Sequence, residues 1–203
     1  MPTIQHSVLS GSEIHEPKGV DTASANQVYV ADGAGSGTWM SVAELHHGIA
    51  DYNDTSTSST PVSLAADTWT TLPNDGLGSF TIENLPSGVT TLLDSSTGAI
   101  DITELTQYST LSVRPDFTVT PDSNNADLEF RFLLGAGASQ YSLPSSLGRL
   151  DQGAGVAYRR SGVLLGIYAG DSNTIDNPIF LQVKLSSTGS VVNAGMYIEV
   201  FKR

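Results

Sequence analysis

The chain has 203 residues, no cysteine and a formal net charge of −12 at pH 7. The missing cysteines exclude disulfides, thiol chemistry and Cys-based zinc sites. The acidic charge argues against nucleic acid as a partner, because that binding depends on Lys and Arg neutralising phosphates. No apolar run approaches the roughly 20 residues of a membrane-spanning helix. The N-terminal residues also lack the basic start and apolar core of a secretion signal, so the sequence predicts a soluble chain.

The first part of the chain, residues 1–60, is predicted to be an arm rather than a core. Residues 1–13 hold too few apolar groups for a core of their own, so Ile4 and Val8 are expected to bury against a partner. Pro17 forces the residue before it into extended geometry. Residues 51–60, DYNDTSTSST, are polar and low in complexity, which predicts a linker to a second domain, residues 61–203.

Within this arm, the sequence predicts a tight β-hairpin that ends near Trp39. Val28 and Val30 precede a run in which glycine alternates with small residues, and Asp32 opens that run with common turn chemistry. The run has neither the spacing of a dinucleotide fingerprint nor the lysine of a P-loop, so it does not predict phosphate binding. Trp39 is predicted to anchor the apolar face of the hairpin.

The residues HEPKGVDTASANQVYVADGAGSGTW, preceded by HSVLSGSEI, carry a resemblance to a known family. This string resembles the N-terminal region of structural proteins of tailed-bacteriophage virions, which include head fibre, head decoration and tail fibre proteins. The resemblance covers about residues 4–40. Beyond them, the chain merely looks like the trimeric jelly-roll domains that such proteins often carry. The resemblance implies a virion component and leaves head and tail open. The virion-docking residues that it implies are Ile4, Val8, Ile14, His15, Pro17 and Trp39.

Residues 41–51, SVAELHHGIAD, predict a short helix. Val42, Leu45 and Ile49 have helical spacing, and the sequence opens with a capping box. His46 and His47 are adjacent, so on one helix they point in different directions and do not share an ion. In a trimer, one of them could meet its copies on the axis and bind a metal or an anion; the alternative is two exposed or helix-terminal histidines.

Residues 61–203 predict an antiparallel all-β fold. Strand patterns recur with turns about every 8–12 residues, as in a sandwich or barrel, and the fold is predicted to be a jelly roll. The alternation is clearest in ADLEFRFLLG, residues 126–135, which predicts a central strand. Pro115 is predicted to confine its strand to a sheet edge or a bulge. Trp69 is predicted to lie in the core.

Three aromatic residues predict a second apolar face. Phe180, Tyr197 and Phe201 alternate out of phase with the predicted core face, and such a face needs cover. They therefore predict the interface of a homotrimer, whose packing would also protect the sheet edges. The basic pair Arg159 and Arg160 is predicted to form salt bridges between subunits.

The sequence predicts no catalytic site, no cofactor and no metal. Most carboxylates lie in turn sequences. The four histidines, His6, His15, His46 and His47, all precede residue 61, so the predicted β-domain lacks a histidine base. Two oxygen-rich groups are predicted to be turns, with calcium as the alternative, because both lack the glycine and glutamate of an EF-hand. They are Asp122, Asn124, Asn125 and Asp127, and Asp171, Asn173 and Asp176.

Together these features predict a non-enzymatic virion structural protein. It is expected to be a homotrimer that docks through its arm on the major capsid protein, at the outer surface of the head, as a decoration or cement protein. The alternative is a tail fibre or receptor-binding protein, with the arm on a tail protein and Tyr141, Tyr158 or Tyr168 contacting a host glycan or protein. A carbohydrate-binding domain outside any virus is disfavoured by the N-terminal resemblance.

Overall fold

The computed structural model describes residues 23–34, 36–42, 46–78 and 83–203. The chain divides into two compact units, residues 1–45 and residues 46–203. Five of the predicted docking residues lie outside the described residues: Ile4, Val8, Ile14, His15 and Pro17. Residues 43–45 of the predicted helix also lie outside them.

The first unit contains the predicted hairpin. Strands β1 (Gln27–Ala31) and β2 (Gly37–Ser41) pair antiparallel, with Tyr29 opposite Trp39. The two rings meet edge to face with their centroids 5.4 Å apart, an arrangement that the quadrupoles of aromatic rings favour. Trp39 therefore packs across the hairpin, which confirms its predicted role within this unit.

The turn of the hairpin is built by Asp32 and Gly33. The Asp32 carboxylate accepts hydrogen bonds from the backbone N–H groups of Ala34 at 2.8 Å and Ser36 at 2.9 Å. These bonds favour the charged form and hold the pKa of Asp32 below its ordinary value. Gly33 takes a φ of +75°, which an L-residue adopts only with strain. The predicted turn chemistry is confirmed.

The second unit is a β-sandwich with two one-turn helices, α1 (Ser56–Ser59) and α2 (Ser172–Ile175), and a 3-10 turn at Gly137–Ser139. Within the described ranges, no helix is long and apolar enough to cross a membrane. In chain order, the strands are β3 (His47–Asn53), β4 (Val62–Leu64), β5 (Thr70–Thr71), β6 (Leu93–Asp94), β7 (Ala99–Ile100), β8 (Thr110–Pro121), β9 (Ala126–Leu134), β10 (Tyr141–Leu150), β11 (Tyr158–Ser161), β12 (Leu165–Tyr168), β13 (Phe180–Leu185) and β14 (Gly189–Phe201).

The strand order is that of a jelly roll. The six-stranded sheet runs β11-β8-β14-β3, with β12 also on β8 and β4 also on β14, and the four-stranded sheet runs β10-β9-β13-β5. Every pairing is antiparallel, and early strands pair with late ones: β3 with β14, β5 with β13, β8 with β11 and β12, and β9 with β10. This is one long hairpin wrapped into two sheets, so the predicted fold class is confirmed.

The core lies between the two sheets. In β9 the burial alternates with period two, and Leu128, Phe130, Phe132 and Leu134 are buried. β9 is hydrogen-bonded on both sides, to β10 and β13, which confirms its predicted central position. The Phe130 ring meets those of Phe117 and Phe132 edge to face, with centroids 6.4 and 6.1 Å away. Aromatic burial of this kind supplies much of the stability of a sandwich.

Of the two positions predicted for Pro115, the sheet edge is wrong, because its strand is central. The bulge is confirmed beside it, because β14 shifts register between Asn193 and Gly195, opposite Phe117 and Asp116. β8 is continuous through Pro115 and pairs with β14 on one side and with β11 and β12 on the other. The missing N–H is tolerated because β11 ends at Ser161 and β12 begins at Leu165, which leaves the ladder open opposite the proline. The Pro115 carbonyl points into this gap and accepts a hydrogen bond from Gly162 N at 2.7 Å.

The prediction of a helix over residues 41–51 was wrong at its C-terminal end, where β3 begins at His47 and pairs with β14. The helical spacing competed with a period-two pattern in the same residues, and the free edge of β14 favours the strand. The predicted linker, residues 51–60, also belongs to the sandwich, since it contains the end of β3 and α1. The second unit therefore begins at residue 46 and not at residue 61.

Candidate interaction surface

The outer face of the six-stranded sheet carries a group of aromatic and charged side chains. Burial alternates along β3, β8 and β14, so every second side chain points away from the core. We call the outward group on these three strands the aromatic face. Its members are His47, Ile49, Asp51, Arg114, Asp116, Tyr197, Glu199 and Phe201. The Phe201 side chain is 51% exposed.

One end of the aromatic face is organised around Phe201. His47 lies opposite it in the sheet, and the two rings have centroids 4.6 Å apart. His47 Nε2 is 3.0 Å from Glu199 Oε1, which fixes the imidazole over the phenyl ring. The other predicted histidine, His46, has its Nδ1 3.0 Å from the Lys202 carbonyl oxygen. Both histidines therefore have partners within the chain.

The middle of the aromatic face is Tyr197. In the register of the sheet, Tyr197 lies between Asp51 in β3 and Arg114 in β8. The Arg114 guanidinium lies 5.7 Å from the centre of the tyrosine ring and 3.1 Å from an oxygen of Asp116. Tyr197 is therefore a half-buried aromatic residue with Asp51 on one side and Arg114 on the other. Tyrosine and arginine are enriched at protein interfaces, whereas aspartate is depleted there.

On the outer face of the four-stranded sheet, polar groups also bond to one another. Lys184 pairs with Glu129 at 2.8 Å, and Arg131 Nε donates to Gln182 at 2.8 Å. Both cations also lie over Trp69, at 4.4 Å for Arg131 and 4.9 Å for Lys184 from the ring centre. Trp69 is half-buried on this face, so the prediction that it lies in the core was wrong. The ring covers cations rather than packing between the sheets.

The structure separates the three residues of the predicted trimer interface. Tyr197 and Phe201 lie on the outer face of the six-stranded sheet. Phe180 pairs with Leu133 of β9 and is half-buried on the outer face of the four-stranded sheet. A flat contact on either side of the sandwich therefore includes Phe180 or the other two, but not all three.

An exposed tyrosine pair lies beside the aromatic face. Tyr108 and Tyr168 stack with centroids 6.3 Å apart and are 46% and 57% exposed. Arg203 lies 5.1 Å from the ring centre of Tyr108. Sequence reasoning missed Tyr108 because it precedes a strand and has a φ of +75°, a conformation that is rare for a bulky residue. No local sequence signal marks such a position.

The other two predicted receptor-binding tyrosines are tied to the sandwich. Tyr158 is buried, and its hydroxyl accepts a hydrogen bond from the backbone N–H of Gln152. Tyr141 is 40% exposed, and its hydroxyl lies 3.0 Å from Thr174 Oγ1. Among the three predicted tyrosines, Tyr168 presents the most ring surface to solvent.

Three residues of the two oxygen-rich groups, Asp171, Asn173 and Asn125, serve backbone geometry. Asp171 caps α2 by accepting a hydrogen bond from Thr174 N at 2.8 Å. Asn173 bonds to the backbone of Ala136 and Ser139, and Asn125 takes the left-handed φ of a turn, +62°. In the part of the chain that the structure describes, no group of three His, Asp or Glu residues is placed to hold a metal ion.

Comparisons with known proteins add little to this geometry. No protein-family model matches the chain, and no curated protein matches it. Among solved structures, Eiger TNF from S. frugiperda is 11% identical with a TM-score of 0.43, over 78% of this chain and 93% of that one. Infectious bursal disease virus structures of the Gt and Gx strains are also 11% identical, with TM-scores of 0.38 and 0.36. Each match covers 85% of this chain, but only 36% and 35% of the virus chains. The jelly-roll assignment above rests on the strand order and not on these likenesses.

Proposed function

We propose that this chain is a non-enzymatic structural protein of a tailed-bacteriophage virion. It is a homotrimer that decorates the outer surface of the head and docks on the major capsid protein through its N-terminal region. The observation that carries the proposal is the division of the chain. The residues that resemble virion proteins, about 4–40, fall wholly within the first compact unit, residues 1–45. The jelly roll is a separate compact unit, residues 46–203.

The mechanism of attachment is multivalent clamping. Three docking regions joined through one trimer bind at high effective concentration, so modest contacts by each give lasting attachment. Within the described part of the docking region, the paired rings of Tyr29 and Trp39 supply an apolar surface for such a contact. A trimer that binds neighbouring capsid subunits would also bridge them, which is how a cement protein stabilises a head.

The proposal is tested by removing the docking region. We expect residues 41–203 to lose binding to particles that lack this protein, whereas the full chain binds them. The reason is that the jelly roll alone retains none of the residues implied in docking. Co-sedimentation with such particles measures the bound fraction, and the expected loss is at least on the order of 100-fold in affinity, since three linked contacts disappear.

The truncated chain must keep its fold for this comparison. Its unfolding transition and its mass in solution should match those of the full chain after subtraction of the missing residues. Full-length Trp39→Ala is a matched variant with an intact jelly roll and is expected to bind more weakly than the full chain. Undiminished decoration by the truncated chain would refute docking through the N-terminal region.

A second function is favoured by the tyrosine pair. Tyr108 and Tyr168 present two stacked, exposed rings, and exposed tyrosines with nearby polar groups are common in recognition surfaces. In this version, the first unit docks on a tail protein and the jelly roll binds a host glycan or protein. The two functions differ in where the chain sits on the virion.

A further inference from the structure

Two exposed aromatic rings lie on either side of a threonine on the outer face of the six-stranded sheet. Thr110 of β8 is opposite Phe201 of β14 on one side and opposite Tyr168 of β12 on the other. The residue next to each of them in its strand is buried, so all three side chains point away from the core. Neighbouring strands are about 4.8 Å apart, so the two rings project from backbones about 10 Å apart. We call Tyr168, Thr110 and Phe201 the two-ring site.

Each ring of the two-ring site is supported by a second ring and stays more than half exposed. His47 supports Phe201 with 4.6 Å between the ring centroids, and Tyr108 stacks on Tyr168. The backbone of Tyr108 is held at a φ of +75°, and its N–H donates to the Ala169 carbonyl at 2.7 Å. A bulky residue keeps such a conformation only where its surroundings hold it, and such positions cluster at functional sites. The rings are therefore fixed before a ligand binds, which lowers the entropic cost of binding.

The polar groups of the two-ring site lie between the rings and not around them. The hydroxyls of Thr110 and of Ser112, the next outward residue of β8, have no hydrogen-bond partner among the described residues. Ser112 lies opposite the carboxylate residue Glu199. Protein–protein contacts have the reverse plan, with an apolar centre that is poor in charged residues and a polar rim. The two-ring site therefore does not have the plan of a protein interface.

A carbohydrate has the composition that this plan matches. The face of an aromatic ring is electron-rich, so the C–H face of a sugar ring stacks on it. The edge of a sugar ring carries hydroxyls, which both donate and accept hydrogen bonds. Threonine and serine hydroxyls do the same, and a carboxylate accepts. Rings on both sides of free hydroxyls therefore complement a ligand with apolar faces and hydroxylated edges.

We infer that the two-ring site binds a carbohydrate. Tyr168 and Phe201 stack on sugar rings, and the hydroxyls of Thr110 and Ser112 bond to sugar hydroxyls between them. The inference rests on the second proposed function and deepens it, because it selects a glycan as the ligand. It leaves Phe180, on the opposite side of the sandwich, as the aromatic residue available to a contact between subunits.

Binding of the full chain to an array of bacterial surface polysaccharides and defined oligosaccharides tests the inference. The unmodified chain is expected to bind at least one of these glycans. On that glycan, Tyr168→Ala and Phe201→Ala are each expected to raise the apparent dissociation constant about tenfold, since each removes one stacked ring. Thr110→Val removes the hydroxyl at nearly constant shape and is expected to weaken binding by about the same factor.

Tyr141→Ala is the matched control. It removes an exposed tyrosine from β10 in the other sheet, so it is expected to leave glycan binding unchanged. Silence of the whole array, or binding that survives all three substitutions, would overturn the carbohydrate site. Binding that Tyr168→Ala weakens and Thr110→Val does not would also overturn it, because the site would then be an apolar docking surface for a protein.

Light scattering of the same variants separates the carbohydrate site from a contact between copies. The inference predicts that Tyr168→Ala and Phe201→Ala keep the assembly mass of the unmodified chain. A fall toward the 21.3 kDa of a single chain would overturn it, since the rings would then lie between subunits. Glycan binding is measured on the isolated protein, whereas antibody labelling tests its position on the virion. The inference and the proposed function can therefore fail separately.

Discussion

Replacing Phe130 with alanine is expected to lower the free energy of unfolding by about 3–5 kcal/mol. The Phe130 side chain is fully buried between the sheets and contacts the rings of Phe117 and Phe132. Its strand, β9, is held on both sides by β10 and β13, so the backbone cannot move inward to fill the cavity. The loss would be a large fraction of the stability of a typical domain.

Urea unfolding followed by circular dichroism measures this change. Phe180→Ala is the matched control, because it removes the same group from the half-buried outer face of the neighbouring strand. That variant is expected to cost much less than Phe130→Ala. Equal losses at the two positions would mean that Phe130 does not occupy the core of the sandwich.

Replacing Asp54 with alanine is expected to lower the free energy of unfolding by about 2–4 kcal/mol. The buried Asp54 carboxylate accepts hydrogen bonds from the backbone N–H of Thr57 at 2.9 Å and of Asp75 at 3.0 Å. Thr57 Oγ1 in turn accepts one from Asn193 N at 2.8 Å, at the bulge of β14. The substitution leaves buried donors without partners, which costs more than the bonds contribute.

Urea unfolding followed by circular dichroism also measures the free energy of unfolding of Asp54→Ala. Asp54→Asn keeps an acceptor oxygen in place, so it is expected to fall between the alanine variant and the unmodified chain. Ser59→Ala is the control for helix α1, since Ser59 is exposed at the end of that helix and is expected to change little. An alanine variant as stable as the control would contradict the role of Asp54 in fastening α1 to the sandwich.

The long strands could be predicted from the sequence because one physical signal dominates them. β9 and β13 alternate apolar and polar residues with period two, and both have the predicted buried face. The hairpin of the first unit was also predicted, since Asp32 and Gly33 satisfy a turn that few other residues can form. Both signals are local, so a single sequence contains them.

Residues 46–60 could not be predicted because their partners lie far away in the chain. His47 and the residues after it form β3 through pairing with the end of β14. The polar residues that suggest a linker instead form hydrogen bonds within the sandwich. Thr57 N donates to Asp54, and Asn193 N donates to Thr57 Oγ1. Pro115 is a similar case, because a central strand tolerates its missing N–H only where the gap between β11 and β12 leaves the ladder open. Tertiary context overrides local preference in each case.

The candidate surface was predicted in part. The period-two alternation of apolar and polar residues correctly predicts that Phe180, Tyr197 and Phe201 point away from the core. It does not say which sheet a strand joins, so it could not show that Phe180 lies on the opposite side of the sandwich from the other two.

The most direct test of the proposed function is to locate the protein on intact virions with a gold-labelled antibody. Head decoration predicts label spread over the outer surface of the head, and it predicts that heads without the protein rupture at lower stress. Label confined to the tail would contradict head decoration and would favour receptor binding, with the tyrosine pair as the first surface to test in host adsorption.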